Sequence, residues 1–145
     1  MAAPNVTDDQ SRETQQAYDL ALKLSKDAGE LLLKSQAAGT FTTTLKEANN
    51  PVTSADLQAE SIIVAGIAAS FPAHLILSEE SSPQIDPKLL ASQPCWVIDP
   101  LDGTVNFSRG HFHFCVSIAF MREGRVQFGV INAPRLGELY TARLG

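Results

Sequence analysis

Between residues 13 and 38 the apolar positions fall at Ala17, Leu20, Ala21, Leu24, Ala28, Leu31 and Leu32. This is the i, i+3, i+4 rhythm of a helix with one buried face. Ala, Leu, Lys and Glu fill the segment, all strong helix formers, and Gly39 stands where a helix C-cap belongs. The polar stretch 1–12 is expected to fray. Residues 40–50 hold few apolar side chains and predict a short strand-like start followed by a loop, with Asn50-Pro51 marking a turn. Thr53 or Ser54 can cap a second helix running to Ser70, with Ile62, Ile63, Gly66 and Ile67 on its buried face. Phe71-Pro72 ends that helix, because a residue before proline is pushed out of the α region.

The pattern then shortens. Leu75-Ile76-Leu77 reads as a buried strand running into Ser78-Glu79-Glu80-Ser81-Ser82. A polar loop with Pro83, Pro87 and Pro94 follows, with room for a helical turn over Pro87–Ser92. Cys95-Trp96-Val97-Ile98 predicts a strand ending at Asp99. Strands over 115–121 and 125–132 flank Glu123-Gly124, a hairpin turn, and Glu138–Arg143 predicts one more. Helices first and hairpin-connected strands last give an α+β chain. Its architecture is a two-layer sandwich of long helices on a largely antiparallel sheet, one domain over 13–145.

Charge and composition narrow the function classes. The formal net charge of −5 argues against a nucleic-acid surface, which is basic and clustered. No apolar run approaches the ~18 residues of a membrane span. The acidic start, with Asp8, Asp9 and Glu13, resembles neither a secretory signal nor a transit peptide. Cys95 and Cys115 lie in strand-like runs without zinc-site spacing and read as buried thiols. They fit a reducing, cytoplasmic setting. His74 reads as a loop residue. His111 and His113, alternating with Phe112 and Phe114, are not needed as ligands.

Chemistry concentrates in Asp99-Pro100-Leu101-Asp102-Gly103-Thr104. The strand delivers Asp99 to its carboxyl end, and Pro100 fixes its own φ and turns the chain. Asp102, three residues on, can reach the same point in space, and so can the backbone carbonyl between them. Two carboxylates and a carbonyl are hard oxygen ligands that suit Mg²⁺. The N–H groups of Gly103 and Thr104 can hold an anion. Taken alone, D-x-x-D reads more often as a turn or a cap. Glu79-Glu80 alone reads more often as a solvated loop, although here the pair follows a strand that must be buried. Asp56, in Pro51-Val52-Thr53-Ser54-Ala55-Asp56, fits the first turn of a capped helix and can also accept a hydrogen bond from a catalytic hydroxyl. An aspartyl-phosphate phosphatase would separate its two aspartates by one residue rather than two. An EF-hand would need a glutamate at the twelfth position of the loop.

PVTSAD at 51–56, LSEES at 77–81, WVIDPLDGTVNF at 96–107 and FGVINAPRLGELYTARLG at 128–145 together resemble the inositol monophosphatase family. Its relatives include the 3′(2′),5′-bisphosphate nucleotidases and the fructose-1,6-bisphosphatases. The resemblance implies the N-terminal half of an αβαβα fold and a Mg²⁺-dependent phosphomonoesterase, with inositol monophosphate or a nucleotide 3′-phosphate as substrate and a homodimer as assembly. By position it implies that Glu79, Asp99 and the Leu101 carbonyl bind one metal, while Asp99 and Asp102 bind a second. Thr104 and Asp56 would pair near the attacking water, with Glu79 assisting. Asp102, Gly103 and Thr104 would hold the phosphate. Lys46, on a mobile loop, and Glu80 would be accessory. Ser78 departs from the glycine that many members carry before the two glutamates. The resemblance further implies a second α/β layer after Gly145 that supplies another metal-binding aspartate and covers the sheet edge. Without that layer the chain would be a non-catalytic metal-binding fragment that pairs with a full-length relative.

Overall fold

The computed structural model describes residues 6–47, 50–81 and 84–145. Helix α1 (Val6–Ala38) starts earlier than its apolar rhythm predicts. Of the stretch 1–12 expected to fray, residues 6–12 are already helical and 1–5 lie outside the described residues. Asp8 and Asp9 lie in the first turn, where acids complement the positive end of the helix dipole. At the other end the N–H groups of Gly39 and Thr40 donate to the carbonyls of Gln36 (3.3 Å) and Ser35 (3.1 Å). This is the Schellman pair expected of a C-terminal glycine.

Strands β1 (Thr43–Glu47) and β2 (Asn50–Thr53) pair antiparallel, with Thr43 opposite Thr53 and Thr44 opposite Val52. The expected loop is therefore half a hairpin, and Asn50-Pro51 opens a strand instead of marking a turn. Thr43, Thr44 and Leu45 of β1 are all exposed, so that strand lacks the alternation by which a strand is read from sequence. Thr53 then caps α2 (Ser54–Ser70), which ends at Phe71 as the following proline requires.

One five-stranded sheet follows, in the order β3-β4-β5-β6-β7. Its strands are β3 (Leu75–Ser78), β4 (Cys95–Asp102), β5 (Cys115–Arg122), β6 (Arg125–Ala133) and β7 (Glu138–Arg143). β4 to β7 pair antiparallel as predicted, while β3 runs parallel to β4. A parallel pair needs a crossover, and the segment carrying the short helix α3 (Pro87–Ser92) provides it. At Glu123 (φ 50°) and Gly124 (φ 71°) both central residues of the β5–β6 turn are left-handed. That twist matches the strands they join.

The core lies between the sheet and the two long helices. Ala17, Ala21, Leu24, Ala28 and Leu32 of α1 and Ala55, Ala59, Ile63 and Ile67 of α2 meet Trp96, Ile118, Phe120, Phe128 and Val130. The alanines bring the helices close to a sheet face crowded with aromatic rings. His74 lies in the bend just before β3, as the loop reading expects, but its side chain is only 6 % exposed. Its ring stacks on Phe71 at 4.7 Å and on Phe120 at 5.5 Å. Its Nδ1 accepts from Trp96 Nε1–H at 3.1 Å. Indole N–H only donates, so in the neutral ring the proton sits on Nε2, which meets Glu13 Oε1 at 2.6 Å. Arg122 Nη2 donates to the other Glu13 oxygen at 2.8 Å. Burial raises the Glu13 pKa, but the hydrogen bonds and charges of Arg122 and His74 outweigh it and hold the carboxyl below its usual range.

The opposite edge is open. Every residue of β7 is exposed, including Leu139 and Tyr140, and Ile131 of β6 is exposed beside them. Among the described residues no helix is long and apolar enough to cross a membrane.

Candidate active site

Parallel pairing of β3 with β4 sets the site. Leu75 lies opposite Cys95 and Ser78 opposite Ile98, so the next residues, Glu79 and Asp99, leave the same end of the sheet side by side. The Glu79 N–H donates to the Ile98 carbonyl at 3.2 Å and extends the ladder by one bond. The Asp99 carboxyl is in hydrogen-bond contact with that of Glu79. Burial, first, raises its pKa, and the Glu79 contact and the negative charges of Glu79 and Asp102 push it up to about 7. The Leu101 N–H, donating to Asp99 Oδ1 at 3.2 Å, opposes this rise.

Pro100 does not end the strand. β4 runs on to Asp102 with a register irregularity between Asp99 and Asp102, so the expected sharp turn is a bulge within a strand. Such a bulge re-aims side chains, and it sets Asp102 opposite Cys115. There the thiol donates to Asp102 Oδ2 at 3.8 Å. Burial, first, and the charges of Asp102 and Asp99 push the Cys115 thiol up to about 11. It therefore stays an S–H donor at neutral pH and is no nucleophile.

Gly103 follows with φ 88° and opens the short helix α4 (Thr104–Ser108). A Cβ there would lie 2.8 Å from the His113 carbonyl oxygen, so only glycine lets α4 start this close to the segment before β5. Thr104 is thereby delivered to α2. Its hydroxyl donates to Asp56 Oδ1 at 3.0 Å and lies 3.2 Å from the Leu101 carbonyl oxygen. Asp56 is fully buried. Its second oxygen takes the Thr53 N–H at 2.9 Å and the Thr53 hydroxyl at 2.5 Å, and its own N–H donates back to that hydroxyl at 3.3 Å. The capping box thus fixes one carboxylate oxygen and leaves the other for Thr104.

Lys46, expected on a mobile loop, lies on β1, and residues 48–49 of that loop are outside the described residues. Its ammonium pairs with Glu80, whose side chain is only 3 % exposed. Burial lowers the Lys46 pKa, but the Glu80 bond and the charges of Glu80, Glu79 and Asp56 raise it above its usual value. Glu80 is also raised, because burial and the acids Asp56 and Glu79 outweigh Lys46. The cation therefore holds its proton among an excess of carboxylates.

Thus Asp56 meets Thr104, Glu79 meets Asp99, and Lys46 meets Glu80. Asp102 turns to a thiol. Among the described residues no three or more His, Cys, Asp or Glu side chains form a closed metal-holding group. The donor chemistry nevertheless fits a hard cation. The Leu101 carbonyl lies two residues from Asp99, and the half-buried Asp99 carboxyl stands among the negative charges of Glu79 and Asp102, a set of oxygens that a cation would compensate.

Two contacts escape sequence reasoning. The Cys115–Asp102 pairing exists only through strand register. Glu60, nearly buried on α2, accepts from the Ser81 hydroxyl. Its place four residues after Asp56, on the same helix face, is a signal the sequence does carry.

The pattern of the Inositol monophosphatase family matches residues 13–145. The chain belongs to that family. It is similar to the Nus factor SuhB of Vibrio cholerae, 41 % identical over 88 % of this chain and 47 % of that protein. It is also similar to the histidinol-phosphatase of Chlorobaculum parvum, 41 % identical over 87 % of this chain and 47 % of that protein. The inositol monophosphatase (IMPase) of Thermotoga maritima, a solved structure, superposes with a TM-score of 0.77. It is 32 % identical and is matched over 90 % of this chain and 49 % of its own length. As a member of the inositol monophosphatase family the chain thus has the fold of the N-terminal half, and it spans about half the length of the relatives it matches.

Proposed function

We propose that this chain carries the metal- and phosphate-binding half of a Mg²⁺-dependent phosphomonoesterase whose substrate is inositol monophosphate. The observation that carries the reading is the placement of Glu79 and Asp99 side by side at the carboxyl ends of the parallel pair. Glu79, Asp99 and the Leu101 carbonyl would hold one cation, and Asp99 and Asp102 a second. Mg²⁺ bound there would polarise the phosphoryl group and lower the pKa of a bound water toward neutrality.

The chain's own residues would do the rest. The Thr104 hydroxyl gives its hydrogen to Asp56, and its oxygen has lone pairs with which to accept from the attacking water. Asp56, locked by the capping box, holds that orientation, and Glu79 assists at the same water. The N–H groups at Gly103 and Thr104 would receive the phosphate oxygens, with Asp102 beside them. Lys46 would offset the excess of negative charge around Glu80.

The test is phosphate release with Mg²⁺ from inositol monophosphate and from a nucleotide 3′-phosphate, paired with Mn²⁺ binding, for the wild type and Asp99→Asn. The expected result is release from inositol monophosphate that Asp99→Asn lowers by about a hundredfold or more. Undiminished release in Asp99→Asn sinks the assignment. Preference for the nucleotide moves the reading to the bisphosphate nucleotidase class. Mn²⁺ binding without turnover would make the chain a non-catalytic metal-binding fragment.

A further inference from the structure

Helix α2 holds the two halves of the site through two acids one turn apart. Asp56, at its N-terminus, binds the Thr104 hydroxyl of the segment after β4. Glu60, on the same face, binds the Ser81 hydroxyl of the segment after β3. Residues i and i+4 lie on one face of a helix at a spacing the backbone fixes. Glu60 is 5 % exposed. Burying a carboxylate is costly, and its second oxygen has no hydrogen-bond partner among the described residues, so the Ser81 hydroxyl is the contact that offsets part of that cost and is no passing surface contact. The tip that carries Glu79 is then held on three sides: its N–H on the Ile98 carbonyl, Glu80 on Lys46, and Ser81 on Glu60.

We infer that Glu60 is a positioning residue: through Ser81 it fixes the Glu79–Glu80 tip relative to Asp99, as Asp56 fixes Thr104, so that α2 sets the spacing of the metal-binding oxygens. This rests on the reading of Glu79 and Asp99 as cation ligands. It adds an outer partner to that site, of the kind whose removal typically weakens metal binding about 10–100-fold.

Two readouts test it on the purified chain. The first is hydrogen exchange at the Glu79 amide, which reports the tip without any metal. The second is Mn²⁺ affinity by electron paramagnetic resonance. Ser81 is exposed, so Ser81→Ala removes the donor without disturbing the core. Ser81→Ala and Glu60→Ala are each expected to speed Glu79 exchange and to weaken Mn²⁺ binding, both by about tenfold. The double variant should do no worse than either single one, and Glu60→Gln, which keeps an acceptor for Ser81, should stay within about twofold of wild type. Glu79 exchange unchanged in Ser81→Ala overturns the inference, whatever the metal result. A wild-type chain that binds no Mn²⁺, but whose Glu79 exchange responds to both variants, supports the tether and refutes the metal reading instead.

Discussion

Replacing Gly103 by alanine separates two demands that the backbone makes at the start of α4. The residue sits at φ 88° and ψ 39°, in the left-handed region. There an L side chain costs about 1–2 kcal/mol. The new Cβ would also stand 2.8 Å from the His113 carbonyl oxygen and 3.3 Å from Phe114 Cα, both main-chain atoms that cannot swing aside. Overpacking of this kind adds about 1–3 kcal/mol. Together they give a loss of about 3 kcal/mol and a fall in Tm of roughly 10 °C. Gly124 is the control. Its φ is 71° and nothing lies within 4 Å of a Cβ there, so Gly124→Ala should lose only the conformational part, about 1 kcal/mol. Urea unfolding of the two variants, followed by tryptophan fluorescence from the buried Trp96, measures the difference. Equal losses would refute the close approach as the reason for glycine at 103. If the approach is real, Gly103→Ala should also displace Thr104 from Asp56.

Asp56→Ala should cost about 2–4 kcal/mol in urea unfolding, since it removes the carboxylate half of the capping box, which accepts from the Thr53 N–H and hydroxyl, and leaves the Thr104 hydroxyl only the Leu101 carbonyl oxygen at 3.2 Å; a loss under about 0.5 kcal/mol would mean that neither bond matters. Glu13 is held below its unfolded pKa by Arg122 and His74, so its contribution to stability is present above the ordinary carboxylate range and is lost as pH falls through the lowered value. Thermal melts of wild type and Glu13→Gln should therefore converge as the medium becomes acidic, and a constant gap between them at every pH would contradict the assigned network.

The two long helices, the four antiparallel strands' approximate bounds and the cap at Gly39 follow from local rules. Apolar spacing of 3.6 or 2, a glycine after a helix and Pro72 after Phe71 act within a few residues. The hairpin of β1 and β2 escaped because Thr43, Thr44 and Leu45 are all exposed and show no apolar alternation. His74 is a loop residue as read, but its buried partners were not legible, because Glu13 and Trp96 are 61 and 22 residues away in sequence.

The candidate site divides the same way. From the sequence alone come the acids themselves, Glu79, Asp99, Asp102 and Asp56, and the glycine that opens α4, because each is marked by its own neighbours. The tertiary structure decided which of them meet. Parallel register sets Glu79 against Asp99, a bulge past Pro100 turns Asp102 toward Cys115, and the face of α2 brings Asp56 to Thr104 and Glu60 to Ser81. Local spacing fixes a residue's own backbone. Strand register and helix packing, set by the whole buried core, fix its partner.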